Sequence, residues 1–142
     1  MKVVYIDGAF DLLHPGHIAV FNECKKYGDY LIVGLLSDEN IESYKRKPIL
    51  NLEQRYIMLN NIKIINNVIK DCPFCNIPEE FINKYNINKV IYCGSDLDEK
   101  WTGHYKIPIK NNMMINIPYD KNNSNISTSK IIKKIQSIVI KG

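Results

Sequence analysis

The sequence predicts an α/β protein: one domain over residues 1–142, built on a doubly wound parallel sheet of about five strands with helices on both faces. Three observations predict it. Short apolar runs alternate with stretches of helical spacing along the whole chain. The run at 30–36 is apolar on successive residues, as a strand sandwiched between two layers is. Helix-start signals, Pro followed by acids or a Ser/Thr cluster, come soon after several of the runs. A length of 142 residues suits one domain with a substantial core, and no repeat or linker divides it.

Each element has its own reason. Residues 2–6 (KVVYI) are β-branched and apolar and stop at Asp7-Gly8, the mark of a buried strand. Pro15 fits a first helical position, where a missing N–H costs nothing, and Ile18, Phe21 and Cys24 continue the spacing toward Gly28. Residues 30–36 (YLIVGLL) form a second strand, and 37–51 read as a short helix leading into a mobile loop. Helical spacing returns over 52–62, residues 65–69 form a strand, 78–86 a helix opened by Pro and acids, and 89–93 (KVIYC) a strand ending at Gly94. Residues 113–117 form the last strand. In the final helix Ile131, Ile135 and Ile138 share a face with Ile132 and Val139, while Lys130, Lys133 and Lys134 point away, so it is expected to pack by its isoleucines.

A net charge of +4, carried by scattered lysines, suits an anionic small molecule as well as it suits nucleic acid, so charge alone does not choose; no nucleic-acid partner is expected. No apolar run reaches the length of a membrane span and no charged-then-apolar leader opens the chain, so a cytoplasmic protein is expected. Cys72 and Cys75 have the Cys-x-x-Cys spacing of zinc and dithiol sites. Cys24 in a helix and Cys93 at a strand end do not complete a ligand set, so unpaired thiols are the expectation and a zinc or dithiol protein the alternative.

In sheets of this kind ligands bind at the carboxyl ends of the strands. That rule points at residues 8–17, residues 94–96 and the run before Ile131. The first holds "DGAFDLLHPGH". With Pro15 in the first helical position, His14 lies near the N-cap and His17 one turn on, flanking a mouth of unpaired N–H groups and positive dipole. Gly16 lets an anion approach the backbone. Taken singly, His14 reads as a cap and His17 as a packed side chain. As a pair, with Gly8 upstream and Phe10-Asp11 between, they read as a phosphate site. Ser127, Thr128 and Ser129 open the last helix and read as a second anion site. Neither G-x-x-x-x-G-K-[ST] nor G-x-G-x-x-G occurs, so the usual cradles of P-loop kinases and dinucleotide enzymes are lacking.

"GAFDLLHPGH" together with "ISTSKII" resembles the cytidylyltransferase family of nucleotidyltransferases, marked by G-x-F-D, H-x-G-H and a C-terminal R-T-x-G-[IV]-S-T-[ST] run. "GDYLIVGLLSDENI", "YKRKPILNLEQRY" and "NVIKDCPF" are similar to the matching stretches of ethanolamine-phosphate and choline-phosphate cytidylyltransferases, and "KWTGHYK" to glycerol-3-phosphate cytidylyltransferases. The resemblance implies a Rossmann-like fold and transfer of CMP from CTP, accompanied by Mg2+ held mainly through its phosphates, to a phosphorylated alcohol. Phosphoethanolamine is favoured, then phosphocholine or glycerol 3-phosphate; the products are pyrophosphate and a CDP-alcohol for phospholipid synthesis.

By similarity His14, His17 and Lys45 are catalytic. Gly8, Ala9, Phe10, Asp11, Gly94, Asp96, Ser127, Thr128 and Ser129 join the two histidines around the nucleotide, and Asp11, Lys45, Arg55, Tyr92 and Trp101 meet the acceptor. A quaternary ammonium would want an aromatic cage, for which Tyr105 and Tyr119 join Tyr92 and Trp101 as candidates. A homodimer is implied by analogy. The chain departs from the pattern at Asn122, where the family shows Arg, and at Asn125, where it shows Gly; Lys121 is a flexible substitute for the lost guanidinium. A nucleotide-binding module without turnover and an ATP-using H-x-G-H adenylyltransferase are the alternatives.

Overall fold

The computed structural model describes residues 1–94, 97, 99–118 and 126–141. Five strands, β1 (Val3–Gly8), β2 (Tyr30–Leu35), β3 (Asn67–Lys70), β4 (Lys89–Cys93) and β5 (Met114–Ile117), form one parallel sheet in the order β3-β2-β1-β4-β5. The expected fold class is the observed one. The chain first steps outward from β1 to β2 and β3, then crosses back to β4 and β5. Strand order therefore reverses beside β1, and the carboxyl ends of β1 and β4 part there to leave a crevice.

The pleat sends alternate residues of β1 into two cores. Val4 and Ile6 join Phe21, Cys24, Leu31, Val33, Leu35, Leu59, Val68, Ile91 and Ile117 on one face, under α1 (Pro15–Cys24) and α3 (Leu52–Asn60). Val3 and Tyr5 join Ile32, Ile77, Ile82, Ile87, Val90, Tyr105 and Met113 on the other, under α4 (Glu79–Lys84) and α6 (Lys106–Lys110). Burial of this apolar surface at about 25 cal/mol per Å² is the main force holding the layers. The capping chemistry is legible: Asn51 and Gln54 form a reciprocal capping box at α3, and Ser37 caps α2 (Asp38–Glu42).

The first helix ends at Cys24 and tightens into a 3-10 turn, Lys25–Tyr27, short of Gly28. Two short helices, α5 (Glu99–Thr102) and α6, fill a segment for which the sequence offered no periodicity. The last helix, α7 (Thr128–Lys141), does not pack by its isoleucines. Ile135, Ile138, Val139 and Ile140 are exposed, Ile138 at 62%, because α7 touches the body only through its first turns and then runs clear of it. Tyr119, Lys121, Asn122 and Asn125 lie outside the described residues.

Candidate active site

The crevice beside β1 is a cleft of about 720 Å³. Its floor is the end of β1 and the turn after it, Ile6 to Asp11; one wall is the start of α1, with His14, Gly16 and His17; the opposite wall is Ile91 to Cys93 of β4 with Trp101 and Tyr105. Tyr44, Lys45, Arg46 and Pro48 overhang it, and Ser127, Thr128 and Ser129 at the mouth of α7 close the remaining side. The two helix mouths singled out in the sequence thus face one space. A direct bond joins them: the Thr128 hydroxyl donates to the Asp11 carbonyl at 2.8 Å. Ser127 caps α7 by accepting the Lys130 amide.

The histidine pair is held in a defined state. The Gly16 amide donates to His14 Nδ1 at 3.0 Å, and the His14 amide donates to His17 Nδ1 at 3.3 Å. Each Nδ1 is an acceptor, so each neutral ring carries its proton on Nε2 and offers it as a donor. The rings stack with centroids 3.8 Å apart. Burial first, then the charges of His14 and Lys45, pull the His17 imidazole down to about 4, against an opposing effect of Asp11; burial also lowers His14. Gly16 makes the arrangement possible, since a Cβ there would come within 2.7 Å of the His14 ring.

The turn feeding α1 is strained. Phe10 and Leu12 adopt φ of 49° and 48°, a left-handed conformation disfavoured for such side chains. Asp11 holds it: its two carboxylate oxygens accept the amides of Ile49 at 2.6 Å and Leu50 at 2.9 Å. Arg55, fully buried, donates from Nε to the Leu50 carbonyl, from Nη1 to the Ala9 carbonyl and from Nη2 to Asp38 at 2.6 Å. Sequence reasoning expected Asp11 and Arg55 at the acceptor. In the structure their polar atoms face surrounding backbone and Asp38, and together they fix the loop that carries Lys45 over the cleft. Arg55 is absent from the cleft lining because its guanidinium is enclosed by these partners.

The other expected residues divide. Gly8, Ala9, Phe10, Lys45, Tyr92 and Trp101 line the cleft. Phe10 also supports His17, its ring edge-on to the imidazole at 5.7 Å. Gly94 stands just behind the wall, its amide donating to the Ile117 carbonyl, and Asp96 lies outside the described residues. Cys72 is buried and Cys75 exposed, and burial pushes the Cys72 thiol up, away from the thiolate that redox or metal chemistry needs. Among the described residues no group of three His, Cys, Asp or Glu could hold a metal ion.

Asp7 and His104 were missed. Asp7 Oδ2 lies 2.8 Å from His104 Nε2 and accepts the Tyr5 hydroxyl at 3.2 Å; Oδ1 accepts the Tyr105 hydroxyl at 3.2 Å. Burial, reinforced by the Asp7 charge, raises both phenols well above 10, so they remain donors. Period-2 alternation places Asp7 on the Tyr5 face of β1 at its carboxyl end, a signal that could have found it. His104 lies between two short helices, inside the "KWTGHYK" stretch singled out in the sequence for its resemblance alone, which assigned the histidine no role.

A family model described as cytidylyltransferase-like matches residues 5–134, a span that takes in β1, both histidines and the start of α7. The chain belongs to the cytidylyltransferase-like family. Among its cytidylyltransferase-like relatives, the ethanolamine-phosphate cytidylyltransferase of Arabidopsis thaliana is 28% identical over 142 residues, 94% of this chain. This chain spans 32% of that relative's length. The FAD synthase of Picrophilus torridus is 45% identical over 69 residues, 49% of each chain. The solved lipopolysaccharide core biosynthesis protein of Thermoplasma volcanium GSS1 shares the fold with a TM-score of 0.67 at 21% identity, over 85% of this chain and 98% of that one.

Proposed function

We propose that this chain transfers a cytidylyl group from CTP to a phosphorylated alcohol. The observation that carries the proposal is the convergence of both helix mouths and two Nε2–H donors on one cleft. An acceptor phosphate oxygen attacks the α-phosphorus of CTP, the bond from that phosphorus to the bridging oxygen breaks, and pyrophosphate leaves with the electron pair. Such a step asks for positioning and for donors where charge gathers, with no covalent nucleophile. His14 and His17 donate to the α-phosphate and the leaving oxygen. Ser127, Thr128 and Ser129, with the amides at the start of α7, receive the outer phosphates, and Lys45 reaches across from the overhanging loop. Mg2+ accompanies the triphosphate, held by phosphate oxygens and water, and no step is assigned to the ion.

The cleft supports a phosphorylated amino alcohol as acceptor, phosphoethanolamine or phosphocholine, ahead of glycerol 3-phosphate. Asp7 lines it together with Tyr44, Tyr92, Trp101 and Tyr105, surroundings suited to a cationic head. The likeness to an FAD synthase supports a second reading, adenylyl transfer from ATP. Pyrophosphate release measured with CTP and with ATP, against phosphoethanolamine, phosphocholine, glycerol 3-phosphate and flavin mononucleotide, separates the two. Turnover with CTP and an amino-alcohol phosphate, lowered roughly a hundredfold or more in His17→Ala, is expected. Turnover with ATP alone replaces the reading by the second, and nucleotide binding without any turnover overturns both.

A further inference from the structure

The buried cluster around His104 carries a further inference, which rests on the reading of the cleft as a phosphoalcohol site. His104 is 2% exposed and enclosed by rings: Tyr105 at 4.6 Å, Trp101 at 5.8 Å and Phe74 at 6.2 Å between centroids. Its Nε2 faces Asp7, while its Nδ1 is buried with no hydrogen-bond partner among the described residues. The two protonation states differ in what this orphan atom costs. In an imidazolium, Nδ1–H would be an unsatisfied donor on a buried charge; in the neutral ring with the proton on Nε2, only a lone pair goes unmet, which is far cheaper. The geometry therefore selects the neutral ring.

With a neutral imidazole, Asp7 receives three donors among the described residues, from His104, Tyr5 and Tyr105, none of them a cation. A carboxylate that accepts on both oxygens in this way is oriented by groups that carry no charge. The floor beneath Tyr5 is shaped for it: a Cβ on Gly34 would collide with the Tyr5 hydroxyl and come within 2.9 Å of Cys72 Sγ. We infer that His104 is a positioning residue that selects the acceptor: by donating to Asp7 as a neutral ring it fixes the carboxylate toward the cleft and preserves its charge for an ammonium head group. A cation at the same place would cancel the charge and remove the preference for an ammonium over an uncharged polyol.

The test uses the full chain in two independent arms. In the first, 15N-labelled histidine is observed by NMR at pH 7, with the His104 signals assigned by their loss in His104→Gln. The expected pattern is a protonated Nε2 and a bare Nδ1; a doubly protonated ring overturns the inference. In the second, phosphoethanolamine and glycerol 3-phosphate are titrated against wild type, His104→Gln and His104→Leu, and steady-state KM and kcat are measured wherever turnover occurs. Gln supplies a neutral donor, so the preference for phosphoethanolamine survives. Leu removes the donor, so that preference falls roughly tenfold or more, in Kd and KM, with the KM for CTP unchanged. Equal losses for both acceptors in His104→Leu, or a fall in His104→Gln matching that in His104→Leu, overturn it, and a thermal melt identifies a variant that has merely unfolded. Selective binding without turnover would leave the inference standing and remove the proposed function. Turnover with a head-group preference indifferent to His104 would do the reverse.

Discussion

At the level of single residues the site trades stability for readiness. His17 is held neutral by burial, with its proton affinity lowered to about 4 from an ordinary 6.5. The unfolded chain takes up a proton below pH 6.5 that the folded chain refuses until about pH 4. Stability is therefore lost as pH falls through that window and is insensitive to this group above it, with a total effect of about 2 kcal/mol after allowance for the ring's partial contact with solvent. Urea unfolding at a series of pH values should show this slope in wild type and a shallower one in His17→Gln. Arg55 is the opposite kind of residue, spent wholly on structure. Arg55→Lys keeps the charge but not the three directions of donation, and should cost roughly 3 kcal/mol of unfolding free energy, read from the urea midpoint.

Among the secondary-structure elements, the caps and the last helix give contrasting expectations. Asn51→Ala removes one half of the α3 capping box and should lower stability by about 1 kcal/mol in chemical denaturation. Ile138→Asp, on the exposed stripe of α7, should change the unfolding free energy by little, within about 0.5 kcal/mol in urea denaturation, because the side chain is already open to solvent. These contrasts also show what the sequence made legible. All five strands and their parallel, doubly wound arrangement follow from short apolar runs alternating with helical spacing; the signal is plainest in β1 and β2, whose burial leaves little choice of composition. Both helix mouths follow from Pro15 and the Ser127–Ser129 cluster. The packing of α7 did not follow, because periodicity shows that a helix has an apolar face and says nothing of what covers it. Nor did the true partners of Asp11 and Arg55, whose bonds run to main-chain groups 38 or more residues away in most cases and to Asp38, 17 residues away. Such long-range pairings leave no mark in local spacing, and the same holds for His104 and Asp7, which are separated by 97 residues.

For the molecule as a whole, a ligand that touches β1, α1, the overhanging loop and α7 together should stabilise all of them at once. CTP at about a hundred times its dissociation constant is expected to add about 2.7 kcal/mol to the unfolding free energy, seen as a rise in melting temperature. Thr128→Val, which cuts the bond between the two mouths, should shrink that rise at fixed CTP while leaving the melting temperature of the ligand-less protein nearly unchanged. The bond from Thr128 to Asp11 also has a consequence for biosynthesis. The fifth strand closes the sheet at Ile117, whereas the mouth of α7 begins ten residues later at Ser127. A nascent chain emerging from the ribosome can thus complete its sheet while still blind to nucleotide. Only when the final helix has been translated and has swung back onto the first loop can the cell's triphosphate pool help to hold the protein folded.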